Sequence, residues 1–105
     1  MERVVKHANN RILLDQSLSD FDVVKRKLAS MNAKLYALES TCYFTAYLAD
    51  TRQKEDHICE STMTKLLALK VAKDVISQSM SIMGSTWLNE DEPYAKLADD
   101  IKVIY

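Results

Sequence analysis

From residue 1 to residue 83 this chain contains neither a glycine nor a proline, and one of each follows, at Gly84 and Pro93. Tight hairpins and punctuated strands need the positive φ of glycine or the fixed φ of proline, so a sheet domain has almost nothing to turn on. Helices need no such breaks. The fold class read from this feature is all-α: an antiparallel helical bundle, with two long helices, a truncated first helix and a short last one. At 105 residues the chain is one domain, long enough to bury a working core.

Periodicity gives the two long helices. Phe21, Val24, Leu28, Met31, Leu35, Leu38 and Cys42 recur at steps of three and four, forming a single helical seam. Ser19 stands where a hydroxyl can cap the first turn, and Asp20 and Asp22 stand where the helix dipole favours negative charge. This predicts a helix start near residue 20 and, with nothing to stop it before residue 50, a length of about 45 Å at 1.5 Å per residue.

Residues 50–56 contain no apolar side chain and read as a solvated connection. Asp56 is placed to cap the next helix, whose apolar positions from Ile58 to Met83 cover more than one face. The second long helix is therefore expected to be the more buried. Gly84 offers the left-handed conformation that commonly closes a helix, and the stretch from Asn89 to Glu92, acidic at its last three positions, reads before Pro93 as the start signal of the short final helix. Residues 2–14 carry a seam through Val4, Val5, Ala8, Ile12 and Leu13 with no capping residue ahead of it. Both ends, the second closing on Val103, Ile104 and Tyr105, have the look of cuts made within a longer chain.

Charge is balanced, with 14 basic and 15 acidic side chains, which gives nucleic acid no foothold. Lys25, Arg26 and Lys27 fan around the helix, make no single stripe and read as solvated surface. No run approaches the roughly 20 apolar residues of a spanning helix. Cys42 and Cys59 fall inside helical patterns, where thiols usually pack as small hydrophobes, and a reducing, soluble compartment is the default. His57 and Cys59 are two apart, a spacing that sends them to different helix faces and suits no shared metal; His7 is alone.

Several phrases resemble those of the acyl-CoA dehydrogenases, in their C-terminal helical bundle, over essentially the whole chain. In that family a helix ends in R-x-Q-F-G or R-x-T-F-G and the next opens with F-Q-x-x-Q-x-x-L-A-x-M. Here the corresponding runs are Arg11-Ile12-Leu13-Leu14-Asp15 and Phe21 through Leu28-Ala29-Ser30-Met31. The family's Q-x-x-G-G-x-G-Y, a later proline and R-D-x-K-I fall on Ser81-Ile82-Met83-Gly84-Ser85-Thr86-Trp87-Leu88, Pro93 and Asp99-Asp100-Ile101-Lys102-Val103. Of these last phrases Gly84, Pro93, Asp100 and Lys102 are unchanged.

The resemblance implies a flavoenzyme that oxidises an acyl-CoA thioester to the trans-2-enoyl form, using FAD and passing electrons to an electron-transfer flavoprotein. It further implies a homo-oligomer, dimer or tetramer, in bacterial cytoplasm or the mitochondrial matrix. By the same resemblance Arg11 would reach the FAD pyrophosphate of a neighbouring subunit, and Leu14 would take an aromatic position that packs on the flavin nucleotide. Ser81, replacing a glutamine, and the turn at Gly84 and Ser85 would border the cofactor. Read from the residues alone, Arg11 is equally an ordinary helix-terminal arginine and Gly84 an ordinary helix stop. No catalytic residue is assigned: the family's glutamate lies in an E-G-T phrase beyond the position of Lys102 and Val103 or, in some members, upstream of Glu2. Leu14, Ser85 and Trp87 depart from the pattern and leave open a second reading, a non-catalytic structural bundle from a paralogue that has lost FAD.

Overall fold

In a computed structural model of the chain, residues 1–85 and 93–104 are described. The elements run α1 (Glu2–Asn10), β1 (Ile12–Leu13), β2 (Gln16–Ser17), a 3-10 turn (Leu18–Asp20), α2 (Asp22–Thr51), α3 (Ile58–Met83) and α4 (Tyr94–Ile104). The long pair α2 and α3 forms the antiparallel hairpin predicted by the seam, and the molecule measures 60 × 27 × 17 Å. The all-α bundle stands, with one small two-stranded exception near its start.

The 30 residues of α2 match the expected length, but its beginning differs. Asp22 opens the helix behind Phe21, which has no side chain to cap it. Ser19 is not the cap: the chain first makes the 3-10 turn, and the Ser19 hydroxyl lies 2.9 Å from Ser17 Oγ. At the far end Asp50 and Thr51 are still helical, so the connection is residues 52–57. Asp56 caps as expected, its Oδ1 accepting the Ile58 N–H at 2.9 Å.

One core cluster holds the bundle, built from Val4, Ala8, Val24, Met31, Ile82, Met83 and Tyr94. Four helices contribute to it, and Met31 is wholly inside. Truncating such a side chain costs about 2–5 kcal/mol in a packed core. Ser79 is the buried polar residue beside this cluster; its hydroxyl donates to the Val75 carbonyl at 2.7 Å and lies 3.7 Å from Met31 Sδ. A serine bonded back to its own helix turn satisfies itself and adds no unpaired group to the core.

Burial fades along the hairpin away from this cluster. Leu35 and Leu38 are half-buried and Cys42 is exposed. The reading of Cys42 and Cys59 as packing residues is therefore corrected, since both thiols are exposed. The physical reason is layer count. At the base α1 and α4 pack on the long pair, whereas at the tip two helices stand side by side, which leaves most of each surface in water. There α2 and α3 meet through hydroxyls, with Thr45 and Thr64 Oγ1 atoms 2.7 Å apart. Glu60 Oε2, on α3 near this contact, is out of water without a hydrogen-bond partner among the described residues. Of the expected α3 core positions, Ile58, Met63 and Leu66 are exposed.

The first helix is shorter than the predicted span of residues 2–14. It ends at Asn10, and Arg11 is extended (φ −75°, ψ 124°). Ile12 and Leu13, expected in the core, pair with Ser17 and Gln16 in an antiparallel ladder and are 70% and 48% exposed. Leu14 and Asp15 join the strands with positive φ at both positions, 52° and 64°, the mark of a type I′ hairpin turn.

Candidate functional site at the base of the bundle

Arg11 stands at the end of α1 because the helix stops there, and two backbone bonds pin it. Its N–H donates to the His7 carbonyl at 2.8 Å and its carbonyl accepts from the Leu18 N–H at 2.7 Å. Ser17 Oγ closes the hairpin onto the helix end, within 2.9 Å of the Ala8 carbonyl and 3.0 Å of the Asn9 carbonyl. These are carbonyls a helix terminus leaves without an intrahelical partner. The result is a backbone held on both sides and a guanidinium directed to solvent, with no hydrogen bond or ion pair among the described residues.

Leu14 sits at the tip of this hairpin and is 81% exposed. A branched side chain in the left-handed region costs roughly 1–2 kcal/mol. That cost is held in place by the ladder bonds on either side.

The second half of the site follows α3. Gly84 has φ 59° and ψ −137°, and its N–H donates to the Met80 carbonyl. The expected left-handed conformation is corrected here: φ is positive, but ψ lies in the mirror-extended region and not in the left-handed helical one. That combination is open almost only to glycine. Crowding by the described residues is not the reason for glycine: a Cβ built there would meet none of them within 4 Å. Ser85 follows, also exposed, and Trp87 lies outside the described residues.

Ser81 is in the last turn of α3, two residues before its end at Met83. Its hydroxyl takes a 2.6 Å hydrogen bond from Lys27 Nζ on α2. Lys27 was expected to be solvated surface; it is half-buried and crosses between helices. Nothing in a charge run read alone distinguishes the one lysine that reaches a partner 54 positions away from its two solvated neighbours.

The five residues thus share one end of the molecule. Ala8 and Met83 belong to the same core cluster; Arg11 follows the first by one helical turn, and Gly84 follows the second directly. The core fixes where α1 and α3 end, and Arg11, Gly84 and Ser85 at those ends are exposed.

Concave surfaces between the helices went unseen in the sequence. A groove of about 770 Å³ lies between α1 and α2, lined by Val5, Leu28, Ala29, Asn9, Asn10 and Asn32 among others. A smaller cavity of about 330 Å³ between α3 and α4 is walled by Ile76, Met80, Ala98 and Ile101. Helix periodicity reports which face is apolar, not where two helices diverge. Among the described residues no group of three or more His, Cys, Asp or Glu could hold a metal, and no helix is long and apolar enough to cross a membrane.

Comparison with known proteins decides the family. The profile described as "Acyl-CoA dehydrogenase, C-terminal domain" matches residues 1–105. This chain belongs to the acyl-CoA dehydrogenase family, as its C-terminal domain. A 3-(aryl)acrylate reductase of Clostridium sporogenes is 29% identical over 104 residues, covering 99% of this chain and 27% of that protein. The mitochondrial very long-chain specific acyl-CoA dehydrogenases of Rattus norvegicus and Mus musculus are each 27% identical over 101 residues, covering 96% of this chain and 15% of theirs. The chain spans about a quarter of the first relative's length and less of the other two.

Proposed function

We propose that this acyl-CoA dehydrogenase C-terminal domain serves a flavoprotein that moves two hydrogens across the Cα–Cβ bond of an acyl-CoA thioester, and that it contributes to FAD binding across subunits and to oligomer assembly. The carrying observation is the pairing of the Arg11–Leu14 hairpin with the Gly84–Ser85 turn at one open end of the bundle, on a chain matched to the family throughout its length.

The residues fit the cofactor at two points. The exposed Arg11 guanidinium offers parallel donors to a pyrophosphate on a backbone pinned from both sides. The open space at Gly84 admits close approach of a planar group from another subunit. Leu14 supplies apolar contact without ring stacking, and Ser81, held by Lys27, stands where the family has a glutamine. FAD, when bound, would supply the hydride-accepting ring; the domain's own part is to hold its phosphate-bearing half. Acyl-CoA and an electron-transfer flavoprotein are the partners this reading brings, in bacterial cytoplasm or the mitochondrial matrix. The family includes relatives named for dehydrogenation and for acrylate reduction, so the direction of transfer belongs to the whole enzyme.

The test is a visible absorption spectrum of the full-length protein with and without Arg11→Ala. The reading expects bound flavin, with occupancy lowered by the variant. A second reading, a structural bundle that has lost FAD, draws on Leu14 and Ser85, which stand where the family has an aromatic and a glycine. It expects colourless protein that is still oligomeric.

A further inference from the structure

The cavity between α3 and α4 is a concave surface to which the flavin reading gives no task. From α3 it takes Lys73, Ile76, Ser77 and Met80, and from α4 Ala98, Ile101 and Lys102. These are positions i, i+3, i+4 and i+7 of one helix and i, i+3 and i+4 of the other, so each helix turns a single face toward it. Polarity and exposure divide the lining in the same way. Ile76, Met80, Ala98 and Ile101 are half-buried, while Lys73, Ser77 and Lys102 are exposed. The groups that reach water are therefore two ammoniums and a hydroxyl, and no acid lines the cavity among the described residues.

We infer that this cavity binds a straight-chain alkyl carboxylate, its chain packed between Ile76, Met80, Ala98 and Ile101 and its carboxylate met by Lys73, Ser77 and Lys102. Size sets the chain. At about 30 Å³ for a group as large as a water or a methylene, the cavity of about 330 Å³ has room for about eleven such groups. That volume falls at the lower end of the range for small-molecule sites, and it is too short for the several turns of a docked helix. Four apolar side chains give water few hydrogen-bond partners, whereas an alkyl chain recovers the dispersion contacts that an empty space forfeits.

Charge sets the head group. The chain as a whole carries a net charge of -1, yet two lysines and no described acid line this cavity. Asp99 pairs with Lys102 at 3.2 Å, but their side chains are 77% and 76% exposed. An ion pair so open to water contributes little and yields to a carboxylate anchored by its own chain. Met80 joins the cavity to the end of α3, since its side chain lines the one and its carbonyl accepts the Gly84 N–H.

This inference needs no flavin, so it and the flavin reading fail separately. The measurement is equilibrium dialysis of radiolabelled octanoate against full-length protein, with circular dichroism to show that each variant keeps its helix content. The site is read as the part of octanoate binding that Ala98→Trp, which fills the cavity, removes. Across straight-chain carboxylates from hexanoate to decanoate, affinity should rise about fourfold per added carbon, as expected for a buried methylene, and level off once the cavity is full. Lys102→Glu should weaken octanoate by about tenfold or more, and Lys102→Arg should stay close to wild type. Octan-1-ol, with the same chain and no charge, should bind about tenfold more weakly than octanoate. Should Ala98→Trp lose helix content, the two Lys102 variants carry the test. Octanoate binding that is indifferent to both Ala98→Trp and Lys102→Glu lies elsewhere in the enzyme and overturns the inference, as does an absence of binding at millimolar ligand. Equal affinity for octanoate and octan-1-ol overturns the carboxylate as the ligand class.

Discussion

The Ser17 hydroxyl lies 2.9 Å from the carbonyl oxygen of Ala8, across the hairpin that carries Arg11 and Leu14. One side chain thereby joins the end of α1 to the return strand. It fixes the direction in which the arginine leaves the bundle. Ser17→Ala leaves the Ala8 and Asn9 carbonyls short of a donor and should destabilise the fold by about 1 kcal/mol. For a domain of this size that is a fall in Tm of roughly 4–8 °C, read by thermal denaturation. An unchanged Tm would mean the hairpin docks without this bond.

Leu14 should be one of the few positions where a substitution stabilises. Asparagine tolerates the left-handed region far better than leucine and is favoured in type I′ turns. Leu14→Asn is expected to gain about 1 kcal/mol from relief of that strain, with little offsetting loss because the side chain is 81% exposed. In full-length protein the same change should lower flavin retention. Stability unchanged or reduced would show that the Leu14 side chain is held by contacts worth more than its backbone strain.

Gly84→Ala separates conformation from crowding. The built Cβ meets none of the described residues within 4 Å, so the cost expected here comes from φ 59° and ψ −137°. We expect a loss of about 1–3 kcal/mol, the range for a residue forced into a sparsely populated backbone region. A neutral result in chemical denaturation would mean that the turn relaxes to negative φ once a side chain is present.

The long hairpin was legible in the sequence because its seam is strictly local information: Phe21 through Leu38 repeat at the helical period with no breaker among them. Asp56 and Gly84 were legible for the same reason, each acting on its own turn of chain. What escaped depended on partners far along the sequence. Ile12 and Leu13 continue the periodicity of α1 and look helical, but the backbone turns at Arg11, a turn secured by Ser17 six residues later. Cys42 continues the seam beyond the reach of α1 and so ends in solvent. Lys27 looked like its solvated neighbours until Ser81 was placed beside it. The site positions came from the family phrases and not from periodicity, which accounts for five solvent-facing residues being named with nothing to set them apart as a surface.

The most direct test of the account is the visible absorbance of full-length protein purified with the intact Arg11–Leu14 hairpin, compared with Arg11→Ala at equal concentration. The account predicts a flavin band in the first and a marked loss of it in the second, with both proteins folded. Colourless wild-type protein that remains colourless when FAD is added would contradict it.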